Sequence, residues 1–151
     1  MTTVLIDTNV LVYRLDGRQP AKRARAHEVL VELQPLGIAS LTTQVLGEFF
    51  RVVTKRLQPP ISPADAHLLL RQLIQSFNTW PVDRSVVLEA ARGVRDHQIS
   101  YWDAQLWATA LRHGATVVLS EDFSDGQTIE GVTFKDPFAS GFNLKRLAST
   151  T

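Results

Sequence analysis

Cysteine is absent from the chain, which excludes disulfides, zinc–thiolate centres and thiol nucleophiles. An excess of either charge is missing too: 16 lysines and arginines against 15 aspartates and glutamates leave a net charge of +1. Nothing in the overall balance draws the molecule to nucleic acid, so any such binding has to come from local clustering. No apolar run approaches the roughly 20 residues needed to span a bilayer, and the first residues show no basic-then-apolar signal pattern. The expectation is a soluble, cytoplasmic protein with no membrane association. Internal repeats and low-complexity segments are lacking as well.

The 151 residues, 44% of them hydrophobic and 21% charged, are one domain's worth of chain. That length buries roughly 70% of the unfolded surface. The first strong pattern is Val4-Leu5-Ile6, a short apolar run that stops at Asp7 and reads as a strand buried on both faces. Helices are expected over Val10–Leu15, Ala21–Leu33, Gln44–Leu57 (capped by Thr42 or Thr43), from Ser62-Pro63 through Ile74, over Arg84–Asp96 and over Tyr101–His113, with Gly114 as C-cap. Extended segments are expected at Ile38–Ser40, Thr79–Val82, Ala115–Leu119 and Val132–Phe134, with a turn-rich loop from Asp122 to Gly131. Short apolar strands alternating with helices predict an α/β sandwich with a mainly parallel central sheet of about five short strands. The domain is expected over residues 1–138, with 139–151 as a patternless tail open to mobility.

Four acids are candidates for a shared site, and each has a plain structural alternative. Asp7 ends the first strand, where open α/β sheets place their ligands, but Asp is also a preferred helix N-cap. Glu48 lies on the margin of the apolar arc Val45-Phe49-Val52-Val53, yet Arg51 stands at salt-bridging i+3 spacing along a helix, with Lys55 a further turn on. Asp103 heads the stripe continued by Trp107, Ala110 and Leu111, but Ser100-x-x-Asp103 also reads as a capping box. Asp122 follows the strand Val117–Leu119 much as Asp7 follows the first, and could equally open an Asx turn. Together the four point to a site needing a cation or shared protons. Two like charges about 5 Å apart repel by roughly 1 to 3 kcal/mol at effective dielectrics of 80 to 20. Carboxylate oxygens without Cys or His suit Mg²⁺ or Mn²⁺ rather than zinc, and such a site suits phosphodiester hydrolysis.

The stretches Leu5-Ile6-Asp7-Thr8-Asn9-Val10-Leu11, Val45-Leu46-Gly47-Glu48-Phe49-Phe50, Ser100-Tyr101-Trp102-Asp103-Ala104 and Leu119 to Gly126 resemble the four signature blocks of PIN domains. More narrowly, they resemble VapC-type toxins of toxin–antitoxin pairs. The likeness extends to Asp136-Pro137-Phe138, where the family usually has Asn-Pro-Phe. The resemblance implies a three-layer PIN-like sandwich and a Mg²⁺-dependent endoribonuclease, with Mn²⁺ as substitute. It implies Asp7, Glu48 and Asp103 as the core catalytic and metal-holding acids, Asp122 as a more variable fourth, Asn9 orienting the first acid and Ser120 as a polar helper. A water oriented by Asp103 or Asp122 would attack phosphorus of single-stranded RNA, and the 3′ oxygen would leave. The implied partners are RNA, a second copy in a homodimer, and a cognate antitoxin that lays a basic side chain into the acids.

Arg14, Arg18, Lys22, Arg23 and Arg25 form the densest basic cluster and are candidates for RNA contact; Arg51, Lys55 and Arg56 form a second. Trp102 is a candidate for base stacking, Trp107 a core residue. His27, His67, His97 and His113 have no ligand spacing and read as surface or packing residues. A haloacid-dehalogenase-type phosphatase needs a second Asp two residues after the first, where this chain has Asn9. A PIN-like module that only binds RNA or protein is the other alternative.

Overall fold

The structure, a computed structural model, describes residues 2–149. Its centre is β1 (Val4–Ile6), completely buried. Three apolar side chains in succession leave no polar face, so the strand takes a neighbour on each edge and helices on both sides. Those neighbours are β2 (Ala39–Thr42) and β4 (Val117–Leu119), both parallel to it. Beyond them lie β3 (Asn78–Trp80) on one side and β6 (Val132–Lys135) on the other, again parallel. The sheet closes with β5 (Thr128–Ile129), antiparallel to β6, in the order β3-β2-β1-β4-β6-β5.

The sheet thus has six strands where about five were expected. The addition, β5, lies inside the stretch read as loop. Its hairpin turn is Glu130-Gly131, both left-handed with φ of 48° and 86°, which matches the twist of two paired strands. A glutamate in that conformation carries no turn signal of its own, so the sequence hid the strand.

Helices α1 (Thr8–Tyr13) and α2 (Pro20–Leu33) connect β1 to β2; α3 (Thr43–Lys55) and α4 (Pro63–Ser76) connect β2 to β3. The third pair, α5 (Arg84–His97) and α6 (Tyr101–Arg112), leads to β4. Four of these starts are fixed by side-chain caps: Thr42, Ser62, Asp83 and Ser100 each accept a bond from the backbone N–H three residues on. Helix α6 is buried continuously from Ala104 to Ala110. Helix α5 approaches it so closely that a Cβ on Gly93 would stand 2.7 Å from Trp107 Cζ3.

In the segment 139–151, expected as a tail, α7 (Leu144–Ser149) buries Leu144 and Leu147. Two leucines three residues apart are too short a pattern to announce a helix alone. Thr150 and Thr151, the end of that segment, lie outside the described residues. No helix among the described residues is long and apolar enough to cross a membrane.

The chain builds β1, β2 and β3 outward in one direction and then returns to lay β4 on the opposite edge of β1. The carboxyl ends of β1 and β4 therefore form the switch point of the sheet, where such folds leave a crevice. Ile6 pairs with Leu119, so the next residues, Asp7 and Ser120, emerge side by side.

Candidate active site

Asp7 continues the ladder, its N–H donating to the Leu119 carbonyl at 3.0 Å. Its carboxylate takes three bonds, all from neutral groups. The Thr8 N–H donates to Oδ1 at 2.7 Å; the Ser120 hydroxyl (2.7 Å) and the Asn9 amide (3.4 Å) donate to Oδ2. Capping and clustering are thus compatible, since Asp7 caps α1 and also faces other acids. Burial pushes its pKa from the ordinary 3.8 up to about 6; the bonds from Ser120 and Thr8 oppose that, and the charges of Asp122 and Glu48 add to it.

Glu48 is half-buried on the flank of α3, whose buried face is Val45, Leu46, Phe49 and Val53. It does not pair with Arg51 or Lys55 among the described residues. Its Oε2 accepts the Thr8 hydroxyl at 2.8 Å and its Oε1 the Gln44 amide at 3.0 Å. Thr8 therefore ties the first two acids together, its backbone on Asp7 and its side chain on Glu48.

Asp103 lies in the first turn of α6, its N–H donating to Ser100 Oγ at 3.3 Å, which is the Ser100 half of the expected capping box. Its carboxylate accepts no hydrogen bond among the described residues. Asp122, exposed in the loop after β4, accepts the Asn9 amide at 3.2 Å, and its N–H donates to Ser120 Oγ at 3.1 Å. Partial burial raises its pKa, the Asn9 bond opposes this, and the charges of Glu121, Asp103 and Glu48 raise it further. All four candidate acids thus act within one local field at the switch point.

Asn9 joins three of the acceptors, its amide nitrogen reaching Asp7, Ser120 and Asp122. Its Oδ1 is buried without a partner. Stranding a carbonyl costs about 1–3 kcal/mol, and the amide accepts that cost because only its NH₂ end can face two carboxylates and a hydroxyl.

Among the described residues no lysine or arginine pairs with any of the four acids. The expected RNA-contact cluster is largely engaged elsewhere: Arg18 with Asp16 at 3.0 Å, Arg25 with Glu28 at 3.3 Å. Lys22 reaches the edge of the site, at 2.8 Å from Glu121 and over the rings of Tyr13 and Phe138. Arg14 lines a cleft among α1 to α4, and Arg23 is exposed. In the second basic group Arg51, Lys55 and Arg56 are exposed. Trp102 is 64% exposed next to Asp103, whereas Trp107 is fully buried. Of the histidines, His113 stacks on Trp80, His97 meets Trp107 edge-on, and His27 and His67 are exposed.

Sequence reasoning missed Thr8, Gln44 and Gln105. Gln105 is buried, donates to Gln44 Oε1 at 2.9 Å and accepts the Tyr101 hydroxyl at 2.9 Å. A signal existed for the two glutamines: Gln44 stands one helical turn before Glu48, and Gln105 interrupts the apolar stretch Ala104–Ala108.

The oxygens that face the site belong to carboxylates and hydroxyls, which suits a hard divalent cation. Among the described residues no three Asp, Glu or His side chains close into a ready ligand set. The arrangement is open, and fits an ion that takes one or two carboxylates and keeps positions for water and phosphate oxygens, as Mg²⁺ does.

A family model for the PIN domain matches residues 4–124. With an α/β sheet whose switch point carries those acids, the chain belongs to the PIN-domain family. No curated protein matches the sequence. Among solved structures the fold is similar to a toxin–antitoxin complex from Klebsiella pneumoniae, at TM-score 0.66 and 18% identity over 89% of this chain and 98% of that one. It is also similar to VapBC from Salmonella typhimurium, solved bound to DNA, at TM-score 0.61 and 15% identity over 91% and 99%. A third is VapC20 of Mycobacterium tuberculosis, described as a sarcin-ricin loop cleaving toxin, at TM-score 0.57 and 15% identity over 77% and 87%.

Proposed function

We propose that the chain is a Mg²⁺- or Mn²⁺-dependent endoribonuclease acting as the toxin of a toxin–antitoxin pair. The observation that carries this reading is Asp7: a half-buried carboxylate held, among the described residues, by neutral donors alone, with Glu48 and Asp122 adding like charge. Such a cluster resists its own assembly unless a cation joins it.

Asp7 and Glu48, with Asp103 and Asp122, are the acids that would hold the ion. When bound, it neutralises charge on the phosphate and lowers the pKa of water. The protein's part is orientation. Thr8 and Ser120 hold Asp7 and Glu48 against rotation, and Asn9 draws Asp122 toward Asp7. The Asp103 carboxylate, which accepts no hydrogen bond among the described residues, is the one most open to a proton from an attacking water; Asp122, already bonded to Asn9, is the second choice. RNA is the substrate this reading assigns, with the 3′ oxygen as leaving group. Lys22 at the rim and the exposed Trp102 are its nearest candidate contacts, while Arg14, Arg18, Arg23 and Arg25 contribute a more distant positive field.

The toxin assignment is supported by likeness to toxin–antitoxin complexes. An antitoxin arginine would pair bidentately with these carboxylates, which lack any basic partner of their own. A cleft of about 470 Å³ among α1 to α4, lined by Leu11, Leu30, Phe49, Leu73 and Phe77, supports a partner face among the early and middle helices, including that of a homodimer. The cytoplasm is the location this function requires.

The test is incubation of purified protein with cellular RNA, with and without EDTA. Cleavage that stops with chelator and returns with Mn²⁺ is the expected result; cleavage indifferent to chelator, or none under any condition, contradicts the proposal.

A further inference from the structure

Helix α6 carries one polar side chain inside its apolar core stretch. Gln105 is 7% exposed, flanked by Ala104 and Leu106 and followed by Trp107 and Ala108. A buried amide at such a position is costly unless both its ends are bonded. Both are, and the bonds run in one direction. Tyr101 Oη donates to Gln105 Oε1 at 2.9 Å, Gln105 Nε2 donates to Gln44 Oε1 at 2.9 Å, and Gln44 Nε2 donates to Glu48 Oε1 at 3.0 Å.

The direction follows from chemistry. A carboxylate can only accept, so Gln44 has to present its NH₂ to Glu48. Its carbonyl then faces Gln105, which has to present its own NH₂; the remaining Gln105 carbonyl then needs a donor, and the Tyr101 hydroxyl is one. Gln44 Nε2 also lies 3.4 Å from the Trp102 carbonyl, the residue before Asp103. The same amide thus touches Glu48 on α3 and the backbone beside Asp103 on α6. Thr8 holds the other oxygen of Glu48, so the carboxylate is fixed at both ends.

We propose that Gln44 and Gln105, with Tyr101 as terminal donor, are positioning residues that fix Glu48 relative to Asp103 and so set the affinity of the site for a divalent cation. This rests on the metal-dependent reading above. Neither glutamine touches substrate; each acts through the carboxylate it orients. Outer partners of this kind change metal affinity by roughly 10- to 100-fold when removed.

The experiment is direct titration of the full chain with Mn²⁺, following free Mn²⁺ by electron paramagnetic resonance, for wild type and variants. Gln44→Met removes the donor to Glu48 and is expected to weaken binding about tenfold. Tyr101→Phe, a milder change at a half-buried position at the chain's far end, is expected to weaken it in the same direction but by less than Gln44→Met. Gln105→Glu makes residue 105 an acceptor only, so the Gln44 amide turns its NH₂ away from Glu48; its loss is expected to match that of Gln44→Met. Each variant's melting temperature without metal separates misfolding from mispositioning. The discriminating arm is the Glu48→Gln background, in which Gln44→Met is expected to cost nothing further, because no carboxylate remains to orient. Equal losses in both backgrounds, or wild-type affinity in folded Gln44→Met and Tyr101→Phe, overturn the positioning role and leave the nuclease reading intact. Failure of the wild type itself to bind Mn²⁺ overturns both.

Discussion

Two groups of acids in this molecule are built from the same residue types and end in opposite states. On the outer side of α5, Glu89, Asp96 and Glu130 surround the Arg92 guanidinium; Arg95 pairs with Asp96, and His97 meets Glu130 at 2.6 Å. Arg92 holds the Glu130 carboxyl below its ordinary range, and His97 adds to this. At the switch point Asp7, Glu48 and Asp122 have, among the described residues, only hydroxyls, amides and backbone N–H groups as partners, and the carboxyls of Asp7 and Asp122 are pushed above their ordinary range. The first group is complete in itself and joins α5 to the β5–β6 turn, with Arg92 lying over the Trp107 ring. The second has no cationic partner among the described residues, and on the proposed reading a divalent ion supplies one. A cluster of acids becomes informative when its charges are left unanswered.

Replacing an unanswered acid should therefore damage activity and spare the fold. Asp7→Asn or Asp103→Asn is expected to lower RNA cleavage by on the order of a thousandfold, about 4 kcal/mol of barrier. The metal-free protein should stay as stable as wild type or become more so, as read by thermal unfolding. Substantial unfolding with cleavage retained would mark these acids as structural caps.

The packing beneath the other group should show the reverse. Gly93→Ala forces a methyl against Trp107, and is expected to cost about 1–3 kcal/mol of stability while the catalytic rate per folded molecule is unchanged.

Metal-free stability should also depend on pH in a way that belongs to one group. Asp7 holds a proton up to about pH 6 when folded, against 3.8 ordinarily. The unfolded chain releases that proton first, so the Asp7 contribution to stability is greatest below pH 4, falls as pH rises through 4 to 6, and is level above. The Asp7 part of the fall is bounded by about 3 kcal/mol and should be lost in Asp7→Asn, leaving the Asp122 part, as read by denaturant unfolding at a series of pH values. Removing Arg92 as Arg92→Met should give the smallest change: a lower melting temperature, with that loss itself shrinking as salt is added.

What the residues revealed in advance follows the same division. Val4-Leu5-Ile6 announced β1 because burial on both faces leaves an unbroken apolar run, and Ser100 and Thr42 announced helix starts through their cap chemistry. The four acids were legible because a carboxylate at a strand end or on a core margin is conspicuous. Strand β5 was hidden because its turn places a glutamate at positive φ, and α7 because six residues give too little periodicity. Glu48's partners were misread for a physical reason. Arg51 was the charged neighbour offered by helical spacing, whereas Gln44, one turn earlier on the same helix, and Thr8, brought in as α1 packed on α3, became its partners. The Gln105 bond joins residues 61 positions apart, and only the tertiary fold brings them together.

The most direct test of the central claim is calorimetric titration of metal-free protein with Mg²⁺ or Mn²⁺, alongside Asp7→Asn. The account predicts saturable binding to the wild type that the variant loses while remaining folded. Identical titrations for the two proteins, or no heat from either, would contradict it.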